Sequence, residues 1–325
     1  MIDYKKMNSV CFVFLQGIGD FIMFTPALNK IKIINPSIKI SIVLRKELGL
    51  KALAENTGLF ESVHEIPLAK QPVFYIPWIF WLNDYWIIRE ELKRLFETFK
   101  PEYVKIIYTQ LLPTIVYKVL CPGRIKKHKI DRFAAEAGAM LTEAEKNSPI
   151  IVIPRDISDA FGGEVDGLPG MSEAVLIGIH RNTADRTRFI DIDVVREFID
   201  KLNAGKEKHY FIIFADRNSY DLEWNRDGKH LSAPNLKYSF ELLGDKDSLH
   251  MAALIKRCDF IISIDSSVFN IAGALGKNTI GIFNTYKVHS NQRRLNRSNM
   301  LCIDKSKVAA ADLMEKYYLL KALQM

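Results

Sequence analysis

The sequence predicts an α/β protein made of two doubly wound parallel sheets. Three observations carry that expectation. Short apolar, β-type runs alternate with helix-period segments along the 325 residues, the pattern of parallel strands joined by crossover helices. At roughly 150 residues per domain, the length suits two domains. Between Pro154 and Met171 the composition shifts to four Gly, two Pro and several Asp without either period, which reads as a linker. The expected layout is a domain over residues 1–155, a linker over 156–171 and a second domain over 172–325.

The elements follow in order. Val10–Leu15 is a buried strand, followed by a glycine turn and a helix from Asp20 to Ile34. Ile38–Leu44 is a strand, Glu47–Glu55 a helix and Ser62–Ile66 a short strand. Trp86–Phe99 reads as a helix ending before Pro101, Tyr103–Ile107 as a strand and Arg132–Leu141 as a helix. The second set begins with the strand Ala174–Ile179 and the helix Ile192–Leu202. Tyr210–Phe214 and Leu236–Phe240 are strands, and Ser248–Arg257 is a helix. Phe260–Ile264 is a strand, Val268–Leu275 a helix, Thr279–Phe283 a strand and Val308–Leu320 a closing helix. Sheets wound this way bind ligands beyond the carboxyl ends of their strands. The expected site is therefore a cleft between the domains.

Composition narrows the function classes. Hydrophobic residues are 48% and charged residues 26% of the chain, ordinary globular values that exclude disordered and collagen-like classes. The net charge of +7 is mild and suits an anionic small molecule, an acidic lipid surface or weak nucleic-acid contact without choosing among them. No recognition motif accompanies it, so nucleic acid is not an expected partner. Cys11, Cys121, Cys258 and Cys302 form no C-x-x-C pair and no zinc spacing, which reads as buried, reduced cysteine in a cytosolic protein. The N-terminal apolar run lacks a cleavage site and reads as a first strand. Val73–Ile88 is interrupted by Pro77, Asn83 and Asp84 and falls short of the ~18 apolar residues of a membrane span. The expected protein is soluble or peripheral to a membrane. There is no P-loop, H-E-x-x-H or G-x-S-x-G. No metal site is expected, since Asp191-Ile192-Asp193 looks like helix capping.

Three turns can carry chemistry. In Gln16-Gly17-Ile18-Gly19-Asp20, two glycines let backbone approach a ligand, and Asp20 is either a plain N-cap or a cleft carboxylate. In Asp265-Ser266-Ser267, an acid, two hydroxyls and backbone N–H groups meet at a helix start, either as caps or as an anion site. Arg181, Arg186 and Arg188 follow a strand end, as a solvated loop or as a phosphate clamp. The run Arg124-Ile125-Lys126-Lys127-His128-Lys129 reads as solvated surface or as a nucleic-acid or lipid patch. The aromatic cluster Phe74, Tyr75, Trp78, Phe80, Trp81, Tyr85 and Trp86 reads as core or as a patch for an amphiphilic partner.

Three stretches together resemble glycosyltransferase family 9, the heptosyltransferases of lipopolysaccharide core assembly. GIGDFIMFTPALNKIKIINP is similar to the family's N-terminal pattern, and HKIDRF to its His-x-x-Asp-Arg-aromatic segment. DSLHMAALIKRCDFIISIDSSVFNIAGALGKNTIGIF is similar to its C-terminal signature. The resemblance implies a GT-B fold, two Rossmann-like domains facing an interdomain cleft, with the acceptor on the N-terminal domain and the donor on the C-terminal one. It leaves the closing helix able to pack back on the N-terminal domain. It implies inverting, metal-independent transfer of heptose from ADP-heptose to an anionic glycolipid or oligosaccharide core, at the cytoplasmic face of the inner membrane. No cofactor is implied. Asp20 matches the catalytic base. Asp265, Ser266, Ser267, Val268 and Asn270, with Arg181, Arg186 and Arg188, fall on the donor side. Gly17, Gly19, Lys126, Lys127, His128 and Arg132 fall on the acceptor side. The chain departs from the pattern in four places: Asn270 stands for His, Ser267 for Gly, Asn278 for the Pro before the last strand and Thr187 for Lys. Those departures keep open another nucleotide-sugar donor, or a scaffold that binds nucleotide without catalysis.

Overall fold

The computed structural model describes residues 4–67, 90, 92–94, 97–98, 100–107, 125–128, 141, 148–168, 171–181, 188–215, 231, 233–244, 247–284 and 299–323. The chain divides into two compact units, Met1–Val152 and Ile153–Met325. Both are parallel-sheet α/β units, as the alternation predicts.

The first unit holds strands β1 (Ser9–Phe14), β2 (Lys39–Arg45), β3 (Ser62–Ile66), β4 (Tyr103–Ile107) and β5 (Ile125–His128). Their order is β3-β2-β1-β4-β5, every neighbouring pair parallel. The sheet thus winds outward both ways from β1. Val10 to Phe14 are buried without interruption, as a central parallel strand requires. Helix Ile18–Ile34 packs on β1 by matching periods. Phe12 and Phe14, two apart on the strand, meet Phe21 and Phe24, three apart on the helix, at ring separations of 5.4–5.8 Å. Pro26 interrupts that helix and removes the N–H that would reach the Ile22 carbonyl. The Thr25 hydroxyl donates to that carbonyl instead, at 2.8 Å, and accepts from the Ile150 N–H, also at 2.8 Å.

The second unit holds β6 (Val175–His180), β7 (His209–Ile213), β8 (Leu236–Tyr238), β9 (Phe260–Ile264), β10 (Asn278–Phe283) and β11 (Met300–Asp304). Their order is β11-β10-β9-β6-β7-β8, again all parallel. Read from β6, this is the 3-2-1-4-5-6 order of dinucleotide-binding sheets. Two glycines pack inside it. A Cβ on Gly178 would lie 2.6 Å from Ile261 Cδ1, and one on Gly281 would lie 2.5 Å from ring carbons of Phe269 and Phe283.

Four expectations need correction. Residues 156–171 are not a bare linker: Arg155–Asp166 is a helix of the second unit. It buries Val165, packs on helix Ser248–Arg257 and pairs Asp166 with Arg257. Gly162 and Gly163 hid it, at a cost of about 1 kcal/mol each relative to Ala. The closing helix, Ala310–Ala322, belongs to the second unit, where Leu313, Tyr317 and Leu320 are fully buried in its core. The expected Glu47–Glu55 helix is a 3-10 turn, Lys46–Leu48, then Lys51–Glu55, divided by Gly49 at φ 56°. Strand Leu236–Phe240 ends at Tyr238, because Glu241 accepts the Tyr238 N–H at 2.6 Å and starts helix Ser239–Leu243.

Two strands were not anticipated. The basic run forms β5, and β11 was hidden behind a polar stretch. Expectations on Phe74–Trp86 lie outside the described residues, as do those on Arg132–Leu141 save for Leu141, which is not helical. Of the Trp86–Phe99 helix, Glu90, Leu92–Arg94, Glu97 and Thr98 are described and helical. No described helix is long and apolar enough to cross a membrane.

Candidate functional site

Strand order reverses between β1 and β4 in the first unit, and between β6 and β9 in the second. Such switch points, beyond the strands' carboxyl ends, are where open α/β sheets bind ligands. The three turns singled out in the sequence all leave strands that flank these points.

In the first unit, Gly17 is the N-cap of helix Ile18–Ile34, at φ −68° and ψ 168°. Any residue can adopt those angles. A Cβ on Gly17 would approach nothing closer than Asp20 Oδ2, at 3.9 Å. The fold therefore does not require glycine there, and its effect is to keep the helix start open. Gly19 is half-buried in the first turn. Asp20 is the third helical residue and exposed, so the N-cap alternative falls. Its carboxylate sits where the helix dipole favours negative charge.

Lys126, Lys127 and His128 form β5. Register links Phe14 to Ile107 and Ile107 to His128. The His128 backbone thus lies level with the end of β1, about 10 Å away at the usual strand spacing. Arg132 and Arg186 lie outside the described residues.

In the second unit the structure gathers Arg188, Asp265, Ser266, Ser267 and Asn270. Strand β9 ends at Ile264 and helix Ser267–Ala274 begins three residues later. Ser266 is the N-cap, extended at φ −153° and ψ 178°, and makes no capping hydrogen bond. Its hydroxyl lies 3.0 Å from the hydroxyl of fully buried Ser263. By contrast, Asp191 and Asp247 cap helices Ile192–Asn203 and Ser248–Arg257 with their carboxylates. The plain-cap alternative for Ser266 is thus overturned.

Arg188 Nη1 donates to the Asp265 carbonyl at 3.0 Å and stands 3.6 Å from Asp265 Oδ2. Asn270 Nδ2 donates to the Ser266 carbonyl at 3.0 Å. Val268 is buried, so only its backbone can serve a ligand. Arg181 Nε donates to the Ile190 carbonyl at 3.3 Å, and the Ile190 N–H returns to the Arg181 carbonyl at 3.0 Å, closing the base of the arginine loop.

Sequence reasoning missed His250. Its Nδ1 lies 2.7 Å from Asp247 Oδ1, a carboxylate–imidazole pair at a helix start. That helix packs on helix Ser267–Ala274, and both begin at the carboxyl edge of the sheet, since each runs antiparallel to its strands. The Asp-x-x-His spacing ahead of a helical pattern was the available signal. Among the described residues, burial pushes the Cys11 and Cys258 thiols up to about 12 and that of Cys302 to about 11, which keeps these three in the poorly nucleophilic thiol form. Among the described residues, no three His, Cys, Asp or Glu side chains gather as a metal site.

Residues 207–317 match the family described as Glycosyltransferase family 9 (heptosyltransferase). No curated protein matches the chain. Among solved structures, the chain is similar to a family 9 glycosyl transferase from Veillonella parvula. Identity is 13%, coverage 98% of each chain and TM-score 0.74. It is similar to E. coli ADP-heptose lps heptosyltransferase II at 11% identity, over 97% of this chain and 99% of that one, TM-score 0.68. It is also similar to E. coli heptosyltransferase WaaC with ADP at 16% identity, over 96% and 99%, TM-score 0.59. At these identities the likeness is one of fold, and the fold is GT-B.

Proposed function

We propose, starting from the glycosyltransferase family 9 domain that this chain carries over residues 207–317, that the protein transfers heptose from ADP-heptose, with inversion and without a metal ion, to an anionic glycolipid or oligosaccharide core. The observation that carries the reading is the Asp265–Ser267 turn. It lies inside the matched domain, at a switch point, and its N-cap side chain leaves the helix start uncapped. Such a helix start is suited to a diphosphate.

Each residue then has a task. Backbone N–H groups of Ser266, Ser267 and Val268 receive the departing diphosphate, whose charge grows as the glycosidic bond breaks. Arg181 and Arg186 add positive charge. Asp265 accepts from sugar hydroxyls. Asp20 removes the proton of the attacking acceptor hydroxyl, a role worth roughly 10²–10⁴-fold. Gly17 and Gly19 leave room for that hydroxyl. Lys126, Lys127, His128 and Arg132 meet the anionic groups of the acceptor. The similar E. coli WaaC holds ADP, which supports an ADP-sugar donor. Work at the cytoplasmic face of a membrane, through peripheral contact, follows from such an acceptor.

A second reading keeps the site and changes the donor. Asn270, standing for the family's His, turns its amide onto the Ser266 carbonyl, and that departure favours a different nucleotide sugar. Calorimetric titration with ADP, UDP and GDP, with and without EDTA, separates the readings. Preference for ADP that survives EDTA is expected, followed by turnover of ADP-heptose. Preference for UDP or GDP would discard heptose. Binding lost in EDTA would discard metal independence, and no binding at all would leave a non-catalytic scaffold.

A further inference from the structure

Three successive carbonyls in the turn after β9 each accept a hydrogen bond from a side chain. The Ser263 hydroxyl donates to Ile264 O at 2.9 Å, Arg188 Nη1 to Asp265 O at 3.0 Å and Asn270 Nδ2 to Ser266 O at 3.0 Å. A trans peptide is planar, with its N–H opposite its C=O. Holding each carbonyl fixes the direction of the N–H on the opposite side of its own peptide, those of Asp265, Ser266 and Ser267 in turn. The Ser263 and Asn270 bonds are local. The Arg188 bond spans 77 residues and ties the segment after β6 to the turn after β9, across the point where strand order reverses.

We propose that Arg188 is a positioning residue, which aims the amides of this turn before any ligand arrives, and not a clamp on phosphate. The nitrogen that holds the Asp265 carbonyl also faces its carboxylate at 3.6 Å, so one guanidinium edge is committed within the protein. Arg fits this task better than Lys, because its rigid fork is preorganised for such contacts. The consequence for donor binding rests on the nucleotide-sugar reading above; the bracing itself does not.

The test uses the full chain. ¹⁵N relaxation of the unliganded protein reads the order of the Ser266 and Ser267 amides. Wild type is expected near the rigid value of about 0.85, and Arg188→Ala below about 0.6. Arg188→Lys, which keeps the charge, is expected to lose the same order, and it carries the test if the alanine variant does not fold. Arg196→Ala, which removes an exposed Asp193 pair, is the control and leaves both amides ordered. ADP titration supplies the second arm. Loss of positioning weakens ADP on the order of tenfold, about 1.4 kcal/mol, with the salt dependence of binding unchanged. A phosphate clamp would instead reduce that salt dependence, because a charge pair is screened by salt. Unchanged amide order in Arg188→Ala, or a reduced salt dependence, overturns the proposal. If wild type binds no ADP, the nucleotide reading falls, and the relaxation arm alone decides the brace.

Discussion

The turn after β1 works by the side chains it lacks, and the turn after β9 by the side chains that grip it. Gly17 has ordinary backbone angles, and a Cβ there would meet only Asp20 Oδ2, at an ordinary contact distance of 3.9 Å. The turn after β9 carries no glycine, and Ser263, Arg188 and Asn270 hold three of its carbonyls. Both follow a strand, precede a helix and sit at a switch point. The difference matches the tasks proposed for them. A bulky acceptor hydroxyl needs room beside a carboxylate, whereas a diphosphate needs donors fixed in direction.

The largest expected effect bears on the open turn. Asp20→Ala should lower turnover by roughly 10²–10⁴-fold while ADP affinity holds. Near-normal turnover would remove Asp20 as the base and leave the open turn without a chemical role. Steady-state kinetics beside calorimetry on the same variant decides it.

Glycines sharpen the contrast further. Gly281→Ala places a methyl within 2.5 Å of two phenylalanine rings and should cost about 1–3 kcal/mol of stability through overpacking. Gly17→Ala meets only Asp20 Oδ2, at 3.9 Å, and should keep stability within about 0.5 kcal/mol, while transfer slows. Thermal melts with activity assays test both. Lost stability without lost activity at Gly17 would make it a packing glycine after all. Thr25→Val should cost about 1–3 kcal/mol, because it leaves the buried Ile22 carbonyl and the half-buried Ile150 N–H without their partner. An unchanged melt would show that a water replaces the hydroxyl.

Much of this contrast was legible in the sequence. Strands with continuous apolar runs, such as Phe260–Ile264, and helices with clean caps, such as Ser248–Arg257, were found at their true bounds. Both are fixed by local rules. Helix Arg155–Asp166 was not found, because two glycines outweigh its period until Val165 is buried. Strand β5 was missed because Lys-Lys-His reads as surface, and only pairing with β4 makes it a strand. At the site, residue types announced themselves but their division of labour did not. Arg188 reads as a phosphate arginine in sequence, and no local rule announces its 3.0 Å bond to a carbonyl 77 residues away. Asn270 likewise reads as a ligand contact, and its spacing does not announce the bond from its amide to the Ser266 carbonyl.

The smallest effect concerns the edge of the second sheet opposite the site. His209 opens β7, and its Nε2 lies 3.0 Å from Tyr317 Oη and 3.1 Å from Glu207 Oε2. Glu207 is also paired with Lys321 on the closing helix. Burial holds the His209 pKa below its ordinary 6.5; Lys321 acts in the same sense and Glu207 against it. A histidine depressed in the folded state is neutral there and binds its proton more readily when unfolded. Its contribution is therefore complete above about 6.5 and is lost as pH falls through that value toward the folded pKa. The Glu207 carboxyl, held low chiefly by its hydrogen bond from Lys321, adds a second loss of the same sign below its ordinary 4.5. Melting temperature should thus decline between pH 7.5 and pH 5.5, about a unit either side of the ordinary histidine value, and His209→Gln should flatten that decline. An equal slope in the two proteins would assign the loss to other groups. Because the cluster lies at the amino end of β7, His209→Gln should match wild type in ADP affinity per folded molecule at each pH of that range.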